Sequence, residues 1–487
     1  MKEEQVILVD TNDNPIGLSP KMEAHEKALL HRAFSVFIFN DEGKLLLQQR
    51  AAHKYHSPEL WTNTVCSHQR QGETNIQAGK RRLQEEMGLN TGLKEVFSFI
   101  YKAEFDNGLT EHELDHVLVG FSNENPKINP DEVMNYFWKS LENIEADIKS
   151  NPQRYTEWFK IIFKNSLPKL RAELDKKMLQ KPIEFQEQFF EKPWGGKKLK
   201  TILNKNIPSD KTGESWEISD YKNHISKVKN GYFKGKTLSE LVEKYKALLV
   251  GEKVYQKFKT DFPLLIKFID AADDLSIQVH PDDAMAEKYH QSFGKNELWY
   301  IVQADPGALL YIGFKENIDK NDYLKSLNEG NLEKILNKIE VKSGDTVYIP
   351  AGTVHAIGKG ILLAEIQQTS DITYRIYDWN RVGLDGKPRE LHTEKALEAI
   401  DFQAKPDFRN ENTIKTPFFN IEKLSIKNDK KIQLTKDSFS ILMNVGKGEF
   451  IVNDIKFRQG QTLFIPAVTE QLEISCKNAG KVLLINL

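Results

Sequence analysis

Two residues in "NTVCSH" (63–68) carry reactive side chains: Cys66 and, two positions later, His68. At that spacing a thiol and an imidazole share one side of an extended strand. Taken alone, the six residues leave three readings open for Cys66: a small apolar filler, a metal ligand, or a group that does acid chemistry. The histidines narrow the field because they cluster: His25, His31, His53, His56, His68, His112 and His116 fall early, and His280, His290 and His355 bracket a later region. On a predicted helix, Arg82 and Glu86 stand i,i+4 and share a face, as do Arg81 and Glu85. "LSIQVHPDD" places Ser276, Gln278 and His280 on one strand face, and "GKNELWYI" does the same for Lys295 and Glu297. Each of these patterns has a structural reading as a satisfied core group or a solvated ion-paired face.

These residues need elements to hold them. At 487 residues the chain predicts about two to four folding units. Hydrophobic content of 39%, charged content of 28% and mean hydropathy of −0.52 describe an ordinary globular composition. A net charge of −2 offers nothing to nucleic acid or to an anionic membrane surface. The two cysteines, Cys66 and Cys476, are too far apart in the chain to suggest a disulfide framework, so a reducing cytoplasm is the expected compartment. "MKEEQVILVD" lacks an apolar secretory core, and no apolar run approaches a membrane span.

Residues 1–125 alternate short β-type runs with turns, "FNDEGK" reading as a hairpin. A helix is predicted at about 75–87, and helical pieces in "NPQRYTEWFKIIFKNSLPKLRAELDKKML" close the unit, with Pro168 interrupting the pattern. The highly charged segment that follows reads as a solvated connector. From "EKPWGGKKL" (191–199) strands recur, with helical insertions near 237–258 and 318–338, as in a barrel or sandwich. "GDTVYIPAGTVHAI" from Gly344 is echoed by "GQTLFIPAVTEQLEI" from Gly460, so that Gln471 stands where the first copy has His355. Two related barrels follow, the second without a metal-ligand histidine.

Glu73 and "RRLQEEMGL" (81–89) resemble the Nudix signature, in which glutamates hold a divalent cation against a diphosphate. Here Arg81-Arg82 stands in place of the hydrolases' Arg-Glu, and Ser67 in place of a glycine, which disfavours hydrolysis. "KMEAHEKALLHRAFSVFIFN", "LLQQRAAHKYHSPELWTNTVCSH", "YKAEF" and "LTEHELDHVLVG" extend the likeness over roughly residues 3–165 to the type I isopentenyl-diphosphate isomerases. That resemblance implies a first metal site of His25, His31, His68, Glu111 and Glu113, with Mg2+ or Mn2+ and one further divalent metal as the ions. It implies Glu86 at a second Mg2+ bridging to the diphosphate, and Lys21, Arg50, Lys54 and Arg82 around its oxygens. Cys66 and Glu113 match the family's acid–base pair, Tyr101 its supporting hydroxyl and Trp158 the indole facing a carbocation. Glu59 and Gln69 depart from the glycine and proline usual in the substrate loop.

"LSIQVHPDD", "GKNELWYI" and "IPAGTVHAIGKGILLAEIQQTSD", with "EKPWGG", "ESWEIS" and "PLLIKFIDA", resemble the type I mannose-6-phosphate isomerases over about 187–487. The resemblance implies Zn2+ on Gln278, His280, Glu297 and His355, a catalytic Arg375, and a sugar-phosphate pocket lined by Lys267, Ser276, Lys295 and Glu365.

The expected protein is therefore multidomain. An N-terminal α+β Nudix-like fold (1–172) and a charged linker (173–186) precede a mostly-β double cupin with helical insertions, divided into a catalytic cupin (187–405) and a barrel without metal ligands (406–487). The expected activity is a bifunctional isomerase acting on small-molecule diphosphate and sugar-phosphate substrates. Two alternatives stand beside it: a Nudix diphosphate hydrolase fused to a sugar-phosphate isomerase, and a cupin half that only binds sugar.

Overall fold

The structure, a computed structural model, describes residues 4–54, 56–105 and 108–487. It divides into two compact units, Met1–Met178 and Leu179–Leu487.

The first unit is built on one long strand, β3 (His31–Phe39), every residue of which is buried except half-buried Arg32. It follows β1 (Gln5–Val9), β2 (Pro15–Pro20) and the short helix α1 (Lys21–Glu26). A hairpin at Asn40–Gly43 leads into β4 (Lys44–Arg50), as "FNDEGK" predicts. The strands β5 (Trp61–Thr62) and β6 (Val65–Ser67) precede the helix α2 (Asn75–Met87), and β7 (Leu93–Glu104), β8 (Thr110–Phe121) and β9 (Val133–Ser140) complete the sheet. Pairing with β3 brings the reactive positions together: β6 runs antiparallel with Ser35 opposite Cys66, and β8 runs parallel with His31 opposite Glu113. Across β7–β8, Tyr101 is opposite Glu113 and Ala103 opposite Glu111.

Helix α2 forms where the sequence predicts it, and its ends are chemically determined. Thr74 and Gln77 make a reciprocal capping box, and Gly88 closes the helix in the left-handed region at φ 63°. Its inner face carries Ala78, Gly79, Leu83, Glu86 and Met87. A Cβ at Gly79 would sit 2.5 Å from Leu118 Cδ1, so only glycine lets the helix lie this close to β8. Two helices, α3 (Leu141–Ser150) and α4 (Glu157–Met178), finish the unit.

The seam differs from expectation. Pro168 lies inside α4 without ending it; the lost N–H costs one backbone bond while buried Phe159, Phe163, Leu170 and Leu174 carry the helix past it. The segment read as a solvated linker is anchored too. Met178, Leu179, Ile183 and Phe185 are buried, and Ile183 exchanges backbone hydrogen bonds of 2.7 and 2.9 Å with Phe464. Charge count misled because the apolar residues alternate with the charges and find partners far along the chain.

The second unit holds two sandwiches. A seven-stranded sheet runs in the order 188–196, 212–218, 264–271, 361–368, 297–304, 346–349, 407–408, and a five-stranded sheet in the order 336–340, 309–314, 355–357, 277–279, 374–377. Between them lies a core of Trp194, Ile269, Trp299, Ile312, Val347 and Leu363. Helices at Leu238–Tyr245, Glu252–Phe258 and Lys320–Asn328 are the inserted pieces. Residues 413–486 form a second pair of sheets, of five and four strands, around Leu424, Leu442, Phe450, Leu463 and Leu484. The echoed glycines are equivalent in conformation, Gly344 at φ 96° and Gly460 at φ 80°, each turning the chain into its Ile-Pro-Ala strand.

Candidate active sites of the two units

In the first unit, His25 from α1, His31 from β3, His68 after β6 and Glu113 from β8 converge so that one ligand atom of each lies within 4.8 Å of the others. All four are buried. The three imidazole rings sit 5.1–5.9 Å apart between centroids. His31 donates Nδ1–H to Leu29 O at 2.8 Å, which turns Nε2 toward Glu113 at 3.5 Å. His68 Nε2 is 3.1 Å from Glu113 Oε1. Neither ring nitrogen of His25 has a hydrogen-bond partner among the described residues. Burial, with His68 close by, drives the His25 pKa down to about 3, so the ring is neutral with a lone pair facing the cluster. Burial opposes ionisation of Glu113, but the adjacent His31 and His68 rings outweigh it and hold it well below the usual carboxylate range. Three imidazoles and one carboxylate, buried and incompletely hydrogen-bonded, are the donor set a divalent metal needs.

Glu111 stands beside this group rather than in it. It accepts from Tyr101 Oη at 3.1 Å and lies 4.0 Å from His56 Nε2, while burial and the neighbouring Glu113 raise its pKa well above normal. Tyr101 Oη also donates to Glu113 at 2.6 Å. Cys66 points into the same cavity of about 200 Å3, donating its S–H to Asn63 Oδ1 at 2.7 Å. Burial, then the nearby Asp115, pushes the thiol up to about 12, so it stays protonated at neutral pH. Trp158 forms one wall, its Nε1–H donating to Thr62 Oγ1 at 3.0 Å and Arg50 lying over the ring at 5.0 Å.

The cations line the same cavity. Arg50 donates to the carbonyls of Ser57 and His56 at 3.2 and 3.3 Å, and Lys21 pairs with Glu4 at 3.2 Å. Lys54 pairs with Glu132, and Arg82 with Glu86 at 2.7 Å. Glu86 spends both oxygens on protein groups, Oε1 on Arg82 and Oε2 on Gln48 at 3.0 Å, and burial raises its pKa.

In the second unit, His280, Glu297 and His355 form the corresponding group. His280 Nδ1–H donates to Ile372 O at 2.8 Å and His355 Nδ1–H to Thr353 O at 2.9 Å. Both rings therefore present Nε2 to the centre, 3.6 and 3.3 Å from Glu297 Oε1. Among the described residues that oxygen has no hydrogen-bond donor. Gln278 Nε2 lies 3.3 Å from His355 Nε2. A half-turn of the amide places its carbonyl oxygen there, and the contact with Ser276 Oγ at 3.3 Å survives as N–H to hydroxyl oxygen. Three protein ligands and a fourth within reach suit a divalent metal at a catalytic site. Burial opposes the charge on Glu297, yet the adjacent Lys295 ammonium holds it well below the ordinary range.

Above this group a cavity of about 230 Å3 is lined by Lys267, Ser276, Gln278, Lys295, Glu365 and Arg375. Burial raises Glu365 to about 7, although Lys267 lies 3.5 Å away and Trp299 donates to it at 3.1 Å. Arg375 donates through Nη1 to Glu390 O at 2.8 Å, while its buried Nε has no partner among the described residues.

Comparison with known proteins divides the chain at the same place. Residues 29–159 match the model of the NUDIX domain, and residues 183–300 match that of the phosphomannose isomerase type I catalytic domain. The isopentenyl-diphosphate Delta-isomerase of Pectobacterium atrosepticum is 50% identical over 159 residues, 33% of this chain and 89% of the relative. The mannose-6-phosphate isomerase of Streptococcus mutans serotype c is 37% identical over 300 residues, 59% of this chain and 93% of the relative. The chain belongs to both isomerase families. The crystal structure of the mannose 6-phosphate isomerase from Bacillus subtilis superposes with a TM-score of 0.57 at 33% identity, covering 63% of this chain and 99% of that one.

With the families identified, the residues that sequence reading missed stand out. In the isopentenyl-diphosphate isomerase unit they are Glu132, Gln48 and Asn63, each bonded to a predicted site residue. In the mannose-6-phosphate isomerase unit they are Asp371, 3.2 Å from Lys267, and Glu214, which accepts from Trp216 at 2.7 Å and pairs with Lys192 at 2.8 Å. Gln48, Glu132 and Asp371 meet partners 38, 78 and 104 positions away, so no local spacing marks them. Asn63 and Glu214 lie three and two positions from Cys66 and Trp216 and could have been found from that spacing. Among the described residues, neither candidate metal group falls in the barrel after residue 412, where Gln471 replaces the histidine.

Proposed function

We propose that the first unit interconverts isopentenyl diphosphate and dimethylallyl diphosphate, and that the second interconverts mannose 6-phosphate and fructose 6-phosphate. The observation that carries the first reading is the cavity that joins an un-ionised thiol, Cys66, to an ionised carboxylate, Glu113, hydrogen-bonded by Tyr101. Moving the double bond needs one proton delivered to the terminal carbon and one removed from the carbon next to the oxygen-bearing methylene. Cys66 holds the proton to be given, and Glu113 is the base that receives one. The indole of Trp158 faces the positive charge that develops between the two transfers. Lys21, Arg50, Lys54 and Arg82 take the diphosphate oxygens. Mg2+ or Mn2+ on His25, His31, His68, Glu113 and the adjoining Glu111 would supply fixed positive charge, and a second Mg2+ on Glu86 would bridge to the diphosphate.

For the second unit the supporting observation is the pair of imidazoles turned by backbone carbonyls toward Glu297. Zn2+ on Gln278, His280, Glu297 and His355 would polarise the sugar carbonyl. Glu365, whose raised pKa lies near neutrality, is placed to accept and return the proton exchanged between the two sugar carbons. Arg375 stabilises the oxyanion through its unpartnered Nε, and Lys267, Lys295 and Ser276 hold the sugar phosphate.

The test assays the purified protein with each substrate. Both conversions are expected without release of phosphate; phosphate release from a diphosphate substrate would instead identify a hydrolase. Cys66→Ala is expected to lower alkene isomerisation by at least about a thousandfold, the loss of a proton donor in the reacting step. Full activity in that variant would remove Cys66 from the chemistry.

A further inference from the structure

Two of the four cations assigned to the diphosphate are held by one carboxylate oxygen. Glu132 Oε2 pairs with Lys54 Nζ and lies 3.3 Å from Arg82 Nη2. All three side chains are about four-fifths buried at the edge of the cavity. The backbone of Glu132 belongs to the same frame. Its carbonyl accepts from Ala51 N at 3.0 Å, and Ala51 O in turn accepts from Lys54 N at 3.2 Å. Its own N–H donates to Asn129 O at 3.0 Å, and Asn129 N donates to Glu86 O at 2.9 Å. One residue thus ties the β4–β5 loop that carries Lys54 to the end of α2 that carries Arg82 and Glu86.

We propose that Glu132 is a positioning residue for diphosphate binding, acting through Lys54 and Arg82. The inference rests on the diphosphate reading of this cavity. Arg82 is also held by Glu85 at 3.1 Å and by Glu86. Lys54 has no other carboxylate within ion-pair distance among the described residues. A lysine side chain has four rotatable bonds and a large rotamer entropy, so an ammonium without its anchor samples many positions away from the substrate. Glu132 would have a second use were Glu86 to turn toward a metal ion: Glu86 would then leave Arg82, and the Glu132 oxygen would keep the guanidinium in place. The repulsion between Glu132 and a diphosphate is the smaller effect, because both cations stand beside the carboxylate and offset its charge.

The experiment uses the full chain and two probes, isopentenyl diphosphate for steady-state kinetics and inorganic pyrophosphate with Mg2+ for calorimetry. Glu132→Gln is expected to raise KM about tenfold, the loss of one charge-assisted anchor, with kcat changed less than about twofold and pyrophosphate affinity weakened in parallel. Glu132→Asp, which keeps the charge on a shorter arm, is expected to recover part of the loss. In a Lys54→Ala background the Glu132→Gln change is expected to cost much less, since the group it positions is gone. Unchanged or tighter pyrophosphate binding in Glu132→Gln would overturn the proposal, as would a loss of the same size with and without Lys54. Should Glu132→Gln fail to fold, Glu132→Asp carries the test: weaker pyrophosphate binding than in the parent supports the proposal, and equal or tighter binding overturns it. A parent protein that binds pyrophosphate but leaves isopentenyl diphosphate unchanged would refute the isomerase reading and leave the calorimetric test of Glu132 standing.

Discussion

Single residues in both sites are set by the contest between burial and a named partner. Glu113 and Glu111 are two positions apart on one strand and equally buried, yet the first is held ionised and the second is pushed toward its neutral form. The difference lies in the partners: His31 and His68 face Glu113, whereas Glu111 meets Tyr101 and the charge of Glu113 itself. Glu365 makes the same contest measurable. Its folded pKa is about 7 against an ordinary 4.5, so the folded protein binds this proton more tightly than the unfolded chain does. Stability from this group is then greatest below pH 4.5 and is lost as pH rises through 7. Glu365→Gln is therefore expected to raise the stability of metal-stripped protein at pH 8 by about 2–3 kcal/mol, with the gap closing toward pH 5. Thermal melts at the two pH values check it; a gap that widened at low pH would contradict the assignment. These ionisation states were not legible in the sequence, since neither burial nor cross-strand partners are written in spacing.

At the scale of elements, α2 and the strand register do most of the positioning. The helix was legible from residue types alone, as a pattern over about 75–87 carrying the i,i+4 pairs, whereas its Thr74 and Gly88 caps emerged only in the structure. Its distance from the sheet was not. Gly79 looks like a weak point in a helix, and only the packed structure shows Leu118 Cδ1 and Leu93 Cδ1 where a side chain would begin, at 2.5 and 3.1 Å. Gly79→Ala gains helix propensity of about 1 kcal/mol. Lifting α2 from β8 is expected to outweigh that, with a net loss of about 1–2 kcal/mol of stability in the first unit. The displaced Arg82 and Glu86 should also weaken pyrophosphate binding. Denaturation of the variant and calorimetry with pyrophosphate test the two effects together; a more stable variant with intact binding would show that the helix can move without cost.

At the scale of the whole molecule, two candidate metal groups are found among the described residues, one in each compact unit. They draw on different donors, three histidines with a glutamate in one and two histidines with a glutamate in the other. His355→Ala removes one of the ligands that the second group offers. It is expected to abolish sugar isomerisation, by at least about a hundredfold, and to leave alkene isomerisation intact. Graded chelation followed by re-addition of Zn2+, Mg2+ or Mn2+ singly should restore the two activities with different ions. One activity lost in step with the other throughout both experiments would argue against independent centres. Among the described residues no helix is long and apolar enough to cross a membrane.

By itself the sequence determined the kind of chemistry and the order of the units. Residue types at periods of two and four, "NTVCSH", "LSIQVHPDD" and the Arg82–Glu86 pair, survive any detail of packing because strand and helix geometry place them on shared faces. Tertiary structure alone decided three things. It left Glu111 beside the cluster of His25, His31, His68 and Glu113, tied the connector by isolated backbone bridges from Ile183 to Phe464 and from Phe185 to Val228, and recruited Glu132 to Lys54 from 78 positions away. The reason is common to all three. A local pattern records which face a side chain occupies, whereas the partner across a sheet is chosen by register and close packing, which only the folded chain possesses.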